Sequence, residues 1–366
     1  MAGLFCGFIG LGLIGGSIAR ALRASVPGIR IIAYDTNPEM LLWAKRERVI
    51  HAAADSVDGG FADCDYIFLC APVQENDGNL EAVKKIMKPE CILTDVGSVK
   101  TGIHEAVHAA GLDKNFIGGH PMAGSERTGF PNSKASLLEN AYYVLTPTPR
   151  VPGEKLEAYR DLVSAMGAIP LVLDYRQHDY VTAAISHLPH VIAACLVNLV
   201  RDSDSEDGIM KMVAAGGFKD ITRIASSSAE MWRQICLSNP ENISALISGF
   251  VRYLERFRNM LEARDGDALY AQFDGARLYR DSFINASSGP IKRIYSLNVD
   301  IADKSGALAH IVTLLAGEGL NIKNIGITHN RESEDGVLKI EFYRESCLTA
   351  AADILRGKGY DINIRA

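Results

Sequence analysis

Short apolar runs alternate with stretches of helical apolar spacing along roughly the first 150 residues. The runs cover 5–9, 29–35, 66–70, 91–96, 116–119 and 142–145. Short, mostly apolar runs of this kind are typical of strands buried on both faces of a parallel sheet. This alternation predicts a doubly wound α/β sheet, which a helix at 153–166 and a strand at 169–173 complete.

The pattern changes near residue 175 and again near residue 287. From 175 to 284 apolar residues recur at helical spacing, as in Ile243, Ile247 and Phe250, and no strand is predicted. Ser287-Ser288-Gly289-Pro290 is predicted to be a linker. The last segment has the order βαββαβ, typical of a ferredoxin-like unit. The predicted domains are an α/β domain at 1–174, an all-helical domain at 175–286 and a ferredoxin-like domain at 291–366.

A glycine-rich turn follows the first strand. Gly10, Gly12 and Gly15 fit G-x-G-x-x-G between a strand and a helix, the context in which this motif binds a dinucleotide. The backbone amides of Leu13 and Ile14, at the helix start, would face the phosphates. This is the Rossmann-type arrangement, and a glycine turn in an α/β fold that binds nothing is the structural alternative.

An acidic residue ends the second strand. Asp35 stands twenty residues after Gly15, where a carboxylate can hold both hydroxyls of an adenine ribose. No arginine occurs in the following Thr36-Asn37-Pro38 to receive a 2′-phosphate. The sequence therefore predicts NAD as the cofactor in preference to NADP.

Composition restricts the function classes. The 366 residues are 48% hydrophobic and 22% charged, with a formal net charge of −6, which argues against nucleic acid as a partner. The first strand begins almost at Met1 and no apolar run is long enough to cross a membrane, so neither a signal peptide nor membrane attachment is expected. Seven scattered cysteines without C-x-x-C favour reduced thiols in the cytoplasm.

Polar residues follow the carboxyl ends of several predicted strands. Ala71-Pro72, Ser98 and His120 should meet at one edge of the sheet, where ligands of such folds bind. Hydride removal from an alcohol needs a group that accepts the hydroxyl proton, and histidine is the usual one. His120, among glycines in 118–124, is the candidate; a histidine that caps a turn is the alternative.

Further polar residues mark the helical domain. Ser186, His187 and His190 share Ser-His-Leu-Pro-His, and the two histidines lie on one helix face. Spacing of three also suits metal ligands, but no third ligand follows at a suitable spacing and no metal is predicted. His178-Asp179 either orients the site or is exposed. Arg223 lies beside an apolar face, as expected either for a carboxylate-binding arginine in a cleft or for a structural salt bridge.

Three blocks together resemble the prephenate dehydrogenase family of tyrosine biosynthesis. They are 118–124, 186–190 and 217–223, in this order behind the glycine-rich turn, and the resemblance covers roughly residues 5 to 285. It implies NAD-dependent oxidative decarboxylation of prephenate to 4-hydroxyphenylpyruvate. Some relatives carry chorismate mutase ahead of this domain, and no room for it is expected here.

The resemblance also implies roles for individual residues. His120 would assist deprotonation of the ring hydroxyl, and Ser98 would steady that hydroxyl or His120. Arg223 would bind a substrate carboxylate. The remaining implied pocket residues are Ser186, His187, His190 and, by a looser match, His178 and Trp232. The implied cofactor residues are Gly10, Gly12, Leu13, Ile14, Gly15, Asp35, Ala71 and Pro72.

The C-terminal unit resembles an ACT domain, a module that binds amino acids. Asp303, Gly306, Ala307 and Leu308 at the first helix start, with Asn321 and Ile322 after it, carry this resemblance. It implies feedback inhibition by L-tyrosine; a dimerisation module without a ligand is the alternative. A homodimer is expected, because long apolar helices attached to a dinucleotide domain commonly pack against a twofold partner.

Three other functions remain open from the residues alone. Arogenate dehydrogenase differs only in an amino group where prephenate has a keto group, and no single residue decides between the two. A 3-hydroxyacid dehydrogenase would place a catalytic lysine on a helix of the second domain, and none stands out near 186–190. A non-catalytic module that senses NAD and amino acids would leave the polar groups of the cleft without a chemical role.

Overall fold

The computed structural model describes residues 3–71, 76–124, 127–285, 295–301, 304–329 and 336–365. Pro72, Asp303 and the predicted linker at 287–290 lie outside the described residues. The chain divides into two compact units, Met1–Gln272 and Phe273–Ala366.

The first unit begins with a parallel five-stranded sheet in the order β3-β2-β1-β4-β5. Its strands are β1 (Phe5–Ile9), β2 (Arg30–Tyr34), β3 (Ala52–Ala53), β4 (Tyr66–Leu69) and β5 (Ile92–Asp95). The helices between and after them are α1 (Leu13–Ser25), α2 (Pro38–Arg46), α3 (Asn76–Ile86) and α4 (Thr101–Ala110). Buried apolar side chains pack on both faces, with Phe8 stacked on Phe68 at 4.7 Å between ring centroids. The predicted Rossmann-type architecture is confirmed.

A three-stranded sheet continues this layer. It contains β6 (Ile117–Pro121), β7 (Tyr142–Pro147) and β8 (Ile169–Val172), with α5 (Gly153–Ala165) between the last two. A parallel bridge between Leu93 and Phe116 joins β5 to the start of β6. The β6 and β7 strands are antiparallel, whereas β7 and β8 are parallel. His120 lies inside β6, one position later than the predicted strand end.

The rest of the first unit is helical, as the periodicity predicts. The helices are α6 (Tyr175–Thr182), α7 (Leu188–Ser203), α8 (Ile209–Val213), α9 (Gly216–Thr222), α10 (Ala229–Ser238), α11 (Pro240–Glu262) and α12 (Gly266–Asn285), of which the last crosses the division between the units. A π-helical turn at Ala183–His187 joins α6 to α7. Pro189 is the second residue of α7 and follows directly on the π turn.

One helical segment among the described residues, Tyr175–Ser203, is long and apolar enough to cross a membrane by length and composition. The prediction that no run reaches this length was therefore wrong, because the π turn carries the helix through Pro189. Only 17% of its most apolar window is buried. The same segment places His178, Asp179 and His187 in the buried interior, where they bond to neighbouring elements. A cytoplasmic location stays a prediction.

The second unit forms an antiparallel sheet in the order β10-β11-β9-β12. Its elements are β9 (Tyr295–Ile301), α13 (Ala307–Gly317), β10 (Ile322–His329), β11 (Gly336–Phe342), α14 (Glu345–Gly357) and β12 (Ile362–Arg365). Leu297, Ile311, Ile340 and Leu355 are among the side chains of its own core. The βαββαβ order is as predicted.

Candidate active site

The glycine-rich turn approaches the neighbouring strand as closely as backbone atoms allow. Gly10 has φ +92°, and a Cβ there would lie 2.7 Å from the amide nitrogen of Ala71. A Cβ on Gly15 would lie 2.7 Å from the carbonyl oxygen of Gly10. Gly12 differs, because a Cβ would meet no atom within 4 Å. Gly10 and Gly15 thus permit the close approach of the turn to its neighbours, whereas Gly12 presents bare backbone to open space.

That open space is a cavity of about 600 Å³ at the carboxyl ends of the strands. Its lining includes every described residue of the predicted cofactor set: Gly10, Gly12, Leu13, Ile14, Gly15, Asp35 and Ala71. Ser98 also lines it, and one face of α10 contributes Met231, Gln234 and Ile235. A bare glycine backbone beside the start of α1 suits a pyrophosphate, so the residues present fit a dinucleotide.

Asp35 is fixed by the turn that it faces. Its carboxylate accepts hydrogen bonds from the amides of Leu11 at 2.6 Å and Asn37 at 2.8 Å. These bonds hold the end of β2 against the glycine-rich turn. The carboxylate therefore lines the cavity in a fixed orientation, as recognition of two ribose hydroxyls requires.

His120 is the end of a buried hydrogen-bonded chain. Its Nδ1 lies 2.8 Å from Nε2 of His178, and Nδ1 of His178 lies 2.8 Å from the Asp179 carboxylate. Because a carboxylate only accepts, His178 donates through Nδ1 and accepts from His120 through Nε2. Nε2 of a neutral His120 is then its proton acceptor. Burial, followed by the nearby His178, Lys100 and His187, lowers the pKa of His120 well below its usual 6.5, so the ring is neutral at neutral pH.

Asp179 serves a second purpose at the start of α4. Its carboxylate accepts from the amides of Lys100 at 2.7 Å and Thr101 at 2.8 Å, and from the Thr101 hydroxyl. Burial alone would raise the pKa of Asp179, but hydrogen bonds from His178, Thr101 and these amides lower it on balance. One anion from α6 therefore caps a helix of the nucleotide-binding part and orients His178.

A second cluster surrounds Trp232 of α10. The ring of His190 stacks on the indole at 3.8 Å between centroids, and Nδ1 of His190 lies 2.9 Å from the Ser186 carbonyl oxygen. The indole N–H is buried and has no hydrogen-bond partner within the described part of the chain. Burial and then the charge of Arg223 lower the pKa of His190. The indole N–H and the Arg223 guanidinium are together suited to an anionic ligand, whereas neutral His190, which donates through Nδ1 to the Ser186 carbonyl oxygen, presents Nε2 as an acceptor.

Two family descriptions match adjoining parts of this chain. "Prephenate dehydrogenase, nucleotide-binding domain" matches residues 18–171, and "Prephenate dehydrogenase, dimerization domain" matches residues 174–274. The prephenate dehydrogenase of Bacillus subtilis (strain 168) is 37% identical, and the match covers 94% of this chain and 95% of that protein.

Two solved structures are similar to this chain over most of its length. The prephenate dehydrogenase from A. aeolicus in complex with hydroxyphenyl propionate and NAD⁺ has a TM-score of 0.73 and is 30% identical, covering 77% of this chain and 99% of that one. Synechocystis arogenate dehydrogenase has a TM-score of 0.70 and is 28% identical, covering 77% of this chain and 100% of that one.

The chain belongs to the prephenate dehydrogenase family. It is an NAD-dependent oxidoreductase, and the predictions of family, enzyme class and cofactor are confirmed.

Two residues that the family resemblance assigns to the substrate pocket are almost fully buried in this member of the family. His178 is fully buried, and both its ring nitrogens are bonded, to His120 and Asp179. His187 is 1% exposed and lies edge-on to Trp232, and burial lowers its pKa to about 4. Both rings contact residues nearer the surface, and a direct contact of either ring with substrate stays a prediction.

Sequence reasoning overlooked several residues that build the site. The sequence pattern assigns no definite role to Asp179 and no role to Asp95, Lys100 and Asn239. Asn239 donates to the Asp179 carbonyl oxygen at 2.8 Å and lies 3.4 Å from Nδ1 of His187. The available signals were the His178-Asp179 dipeptide and a lysine two positions after Ser98. Neither reveals its partner, because each contact spans distant parts of the sequence.

Proposed function

We propose that this NAD-dependent prephenate dehydrogenase uses His120 as the proton acceptor of its reaction, with Ser98 beside the substrate hydroxyl. The observation that carries this proposal is the Asp179–His178–His120 chain, which sets the tautomer of His120. The cavity at the glycine-rich turn would hold the cofactor, with Asp35 on the adenine ribose. Bound NAD⁺ supplies the hydride acceptor.

The chain's own residues manage one proton. Nε2 of His120 accepts the proton of the ring hydroxyl as carbonyl character develops at that carbon. Asp179 stabilises the resulting positive charge through His178. The ring carboxylate then leaves as CO₂, its bonding electrons make the ring aromatic, and His120 returns the proton to the phenolate oxygen. The products are 4-hydroxyphenylpyruvate, CO₂ and the reduced cofactor.

The Trp232 cluster would hold the other end of the substrate. Arg223 is proposed to pair with a carboxylate and the unpaired indole N–H to donate to one of its oxygens, while His190 lines the pocket beside them. The Ser186 carbonyl holds His190 in the stacked orientation. Rigid placement matters here, because aromatisation makes decarboxylation favourable and leaves orientation as the main task of the protein.

We further propose that L-tyrosine binds the second unit and inhibits the enzyme. Gly306, with φ +89°, precedes α13, and the helix has no side-chain cap on its first turn at Ala307 and Leu308. Asn321 and Ile322 follow where β10 begins. Amides at this helix start suit the carboxylate of an amino acid.

Turnover of prephenate and arogenate, each with and without L-tyrosine, tests these proposals together. We expect reduction of NAD⁺ with prephenate, suppressed by L-tyrosine and unaffected by L-alanine as the amino-acid control. Turnover of arogenate alone would keep the mechanism and change the substrate. Turnover of neither, with NAD⁺ still bound, would favour the sensing module. Turnover insensitive to tyrosine would contradict only the regulatory proposal.

A second copy of the chain is proposed to cover the helical part. Leu199, Met212 and Leu237 are 63%, 76% and 72% exposed, and all lie in the region that matches the dimerization domain. Large apolar side chains that are exposed in one domain are typical of a protein interface. Light scattering on the full chain should give about twice its 39.7 kDa. A monomer at micromolar concentration would contradict the homodimer.

A further inference from the structure

A lysine is buried beneath the two proposed catalytic side chains. The Lys100 side chain is fully buried, and its ammonium forms an ion pair with Asp95, which is 3% exposed. The ammonium also donates to the carbonyl oxygen of Gly119 at 2.8 Å. A buried ion pair is costly to desolvate and is weak support for stability by itself. Its contacts therefore indicate what the pair does.

The pair bonds to the residue before each proposed catalytic side chain. The Asp95 carboxylate accepts from the amide of Gly97 at 2.9 Å and from the amide of Gly119 at 3.2 Å. Gly97 precedes Ser98, and Gly119 precedes His120. The separation of Ser98 and His120 is thus fixed through a single carboxylate and its ammonium partner.

Lys100 also reaches the residue behind the histidines. Its backbone amide donates to Asp179 at 2.7 Å, and Asp179 orients His178. The end of β5, the start of α4, strand β6 and helix α6 therefore meet at this one residue. A Cβ on Gly119 would lie 2.6 Å from the Asp95 carbonyl oxygen. Strands β5 and β6 are therefore too close at this point for any residue other than glycine.

We propose that Lys100, paired with Asp95, is a positioning residue of the reaction, which sets the relative placement of Ser98, His120 and His178. The inference rests on the proposed function, because it assumes that Ser98 and His120 act on the substrate. Lys100 itself has no surface from which to touch substrate or cofactor. Its effect is expected on kcat, with little on the KM for either ligand.

The test removes both buried charges together. Lys100→Met alone leaves the Asp95 carboxylate buried and unpaired, which can prevent folding. Lys100→Met combined with Asp95→Asn leaves no unpaired charge and should fold. We expect kcat with prephenate to fall about 100-fold, as for a small displacement of reacting groups, with the KM for NAD⁺ within about twofold of the unmodified protein. Lys88→Met is the matched control, since Lys88 pairs with Asp65 at 2.6 Å near the opposite ends of β4 and β5.

The pH profile separates positioning from a general loss of stability. The groups that face His120 are His178 and Asp179 from α6, His187 from the π turn, and Lys100 with Asp95 behind it. Loss of the ammonium removes a positive charge, so the acid limb of kcat/KM should move to higher pH. The shift should be larger in Lys100→Met, where it folds, than in the double variant.

The outcomes separate the two proposals. No prephenate turnover by the unmodified protein overturns the proposed function. Turnover by the unmodified protein, with the double variant within about threefold of its kcat, overturns the positioning role alone. An equal fall in the Lys88→Met control would also overturn it, because any lost lysine–aspartate pair would then have the same effect. A fall confined to the Lys100 variants, with the shifted acid limb, supports it.

Discussion

Replacement of His120 by asparagine is expected to lower kcat with prephenate by about 10³-fold, within the range of lost general-base catalysis. The asparagine amide can still donate to Nε2 of His178, so the buried chain stays hydrogen-bonded, but it cannot accept a proton. NAD⁺ affinity should be unchanged, because His120 is absent from the lining of the cofactor cavity. The measurements are steady-state turnover and a separate NAD⁺ titration.

His108→Asn is the matched control for this prediction. His108 lies on α4 with a side chain 74% exposed, so its replacement should leave kcat unaltered. A kcat for His120→Asn within tenfold of the unmodified protein would show that another group takes the proton. Loss of NAD⁺ binding in the same variant would instead indicate a disturbed fold.

Asp179→Asn should lower kcat by about 100-fold or more and also destabilise the protein. The carboxylate accepts on both oxygens, from His178 and Lys100 on one and from Thr101 on the other. An asparagine must turn its NH₂ group toward one of these sets of donors. One orientation forces the wrong tautomer on both histidines, and the other removes the anion that stabilises protonated His120.

Turnover and thermal unfolding should both report this change. We expect the KM for prephenate to stay near its original value, because Asp179 is fully buried behind the histidines. The loss of satisfied bonds at a buried position should cost about 1–3 kcal/mol of unfolding free energy. Asp174→Asn is the control: Asp174 caps α6 from the surface through one oxygen, which asparagine retains. An unchanged kcat in Asp179→Asn would contradict the hydrogen-bonded chain as a catalytic device.

Local signals suffice to predict the geometry of the glycine-rich turn, where the cofactor is proposed to bind. The glycine-rich turn, α1 and the acid at the end of β2 lie within one βαβ unit, so their geometry follows from residues close in sequence. Gly10 shows why: its φ of +92° and the approach of Ala71 exclude a side chain. The resemblance then supplied His120 and Arg223, whose roles spacing alone left open.

Long-range contacts account for what the sequence could not predict. His120 and His178 are 58 residues apart, and Lys100 and Asp179 are 79 apart. A histidine followed by an aspartate gives no sign of which helix start the carboxylate will cap. A short buried strand also gives no sign of its direction in the sequence, so the antiparallel pairing of β6 and β7 could not be predicted. A proline within a helix ordinarily bends or ends it, whereas here the π turn carries the helix on past Pro189.

The π turn has a consequence for how related sequences are compared. Such a turn is equivalent to one extra residue in an α-helix, and each residue of an α-helix advances the chain by about 100°. Deleting one residue at Ala183–His187 would therefore rotate all of α7 and swing His190 away from Trp232. A one-codon gap in this position is then a change of binding pocket, although an alignment would record it as a trivial difference in length.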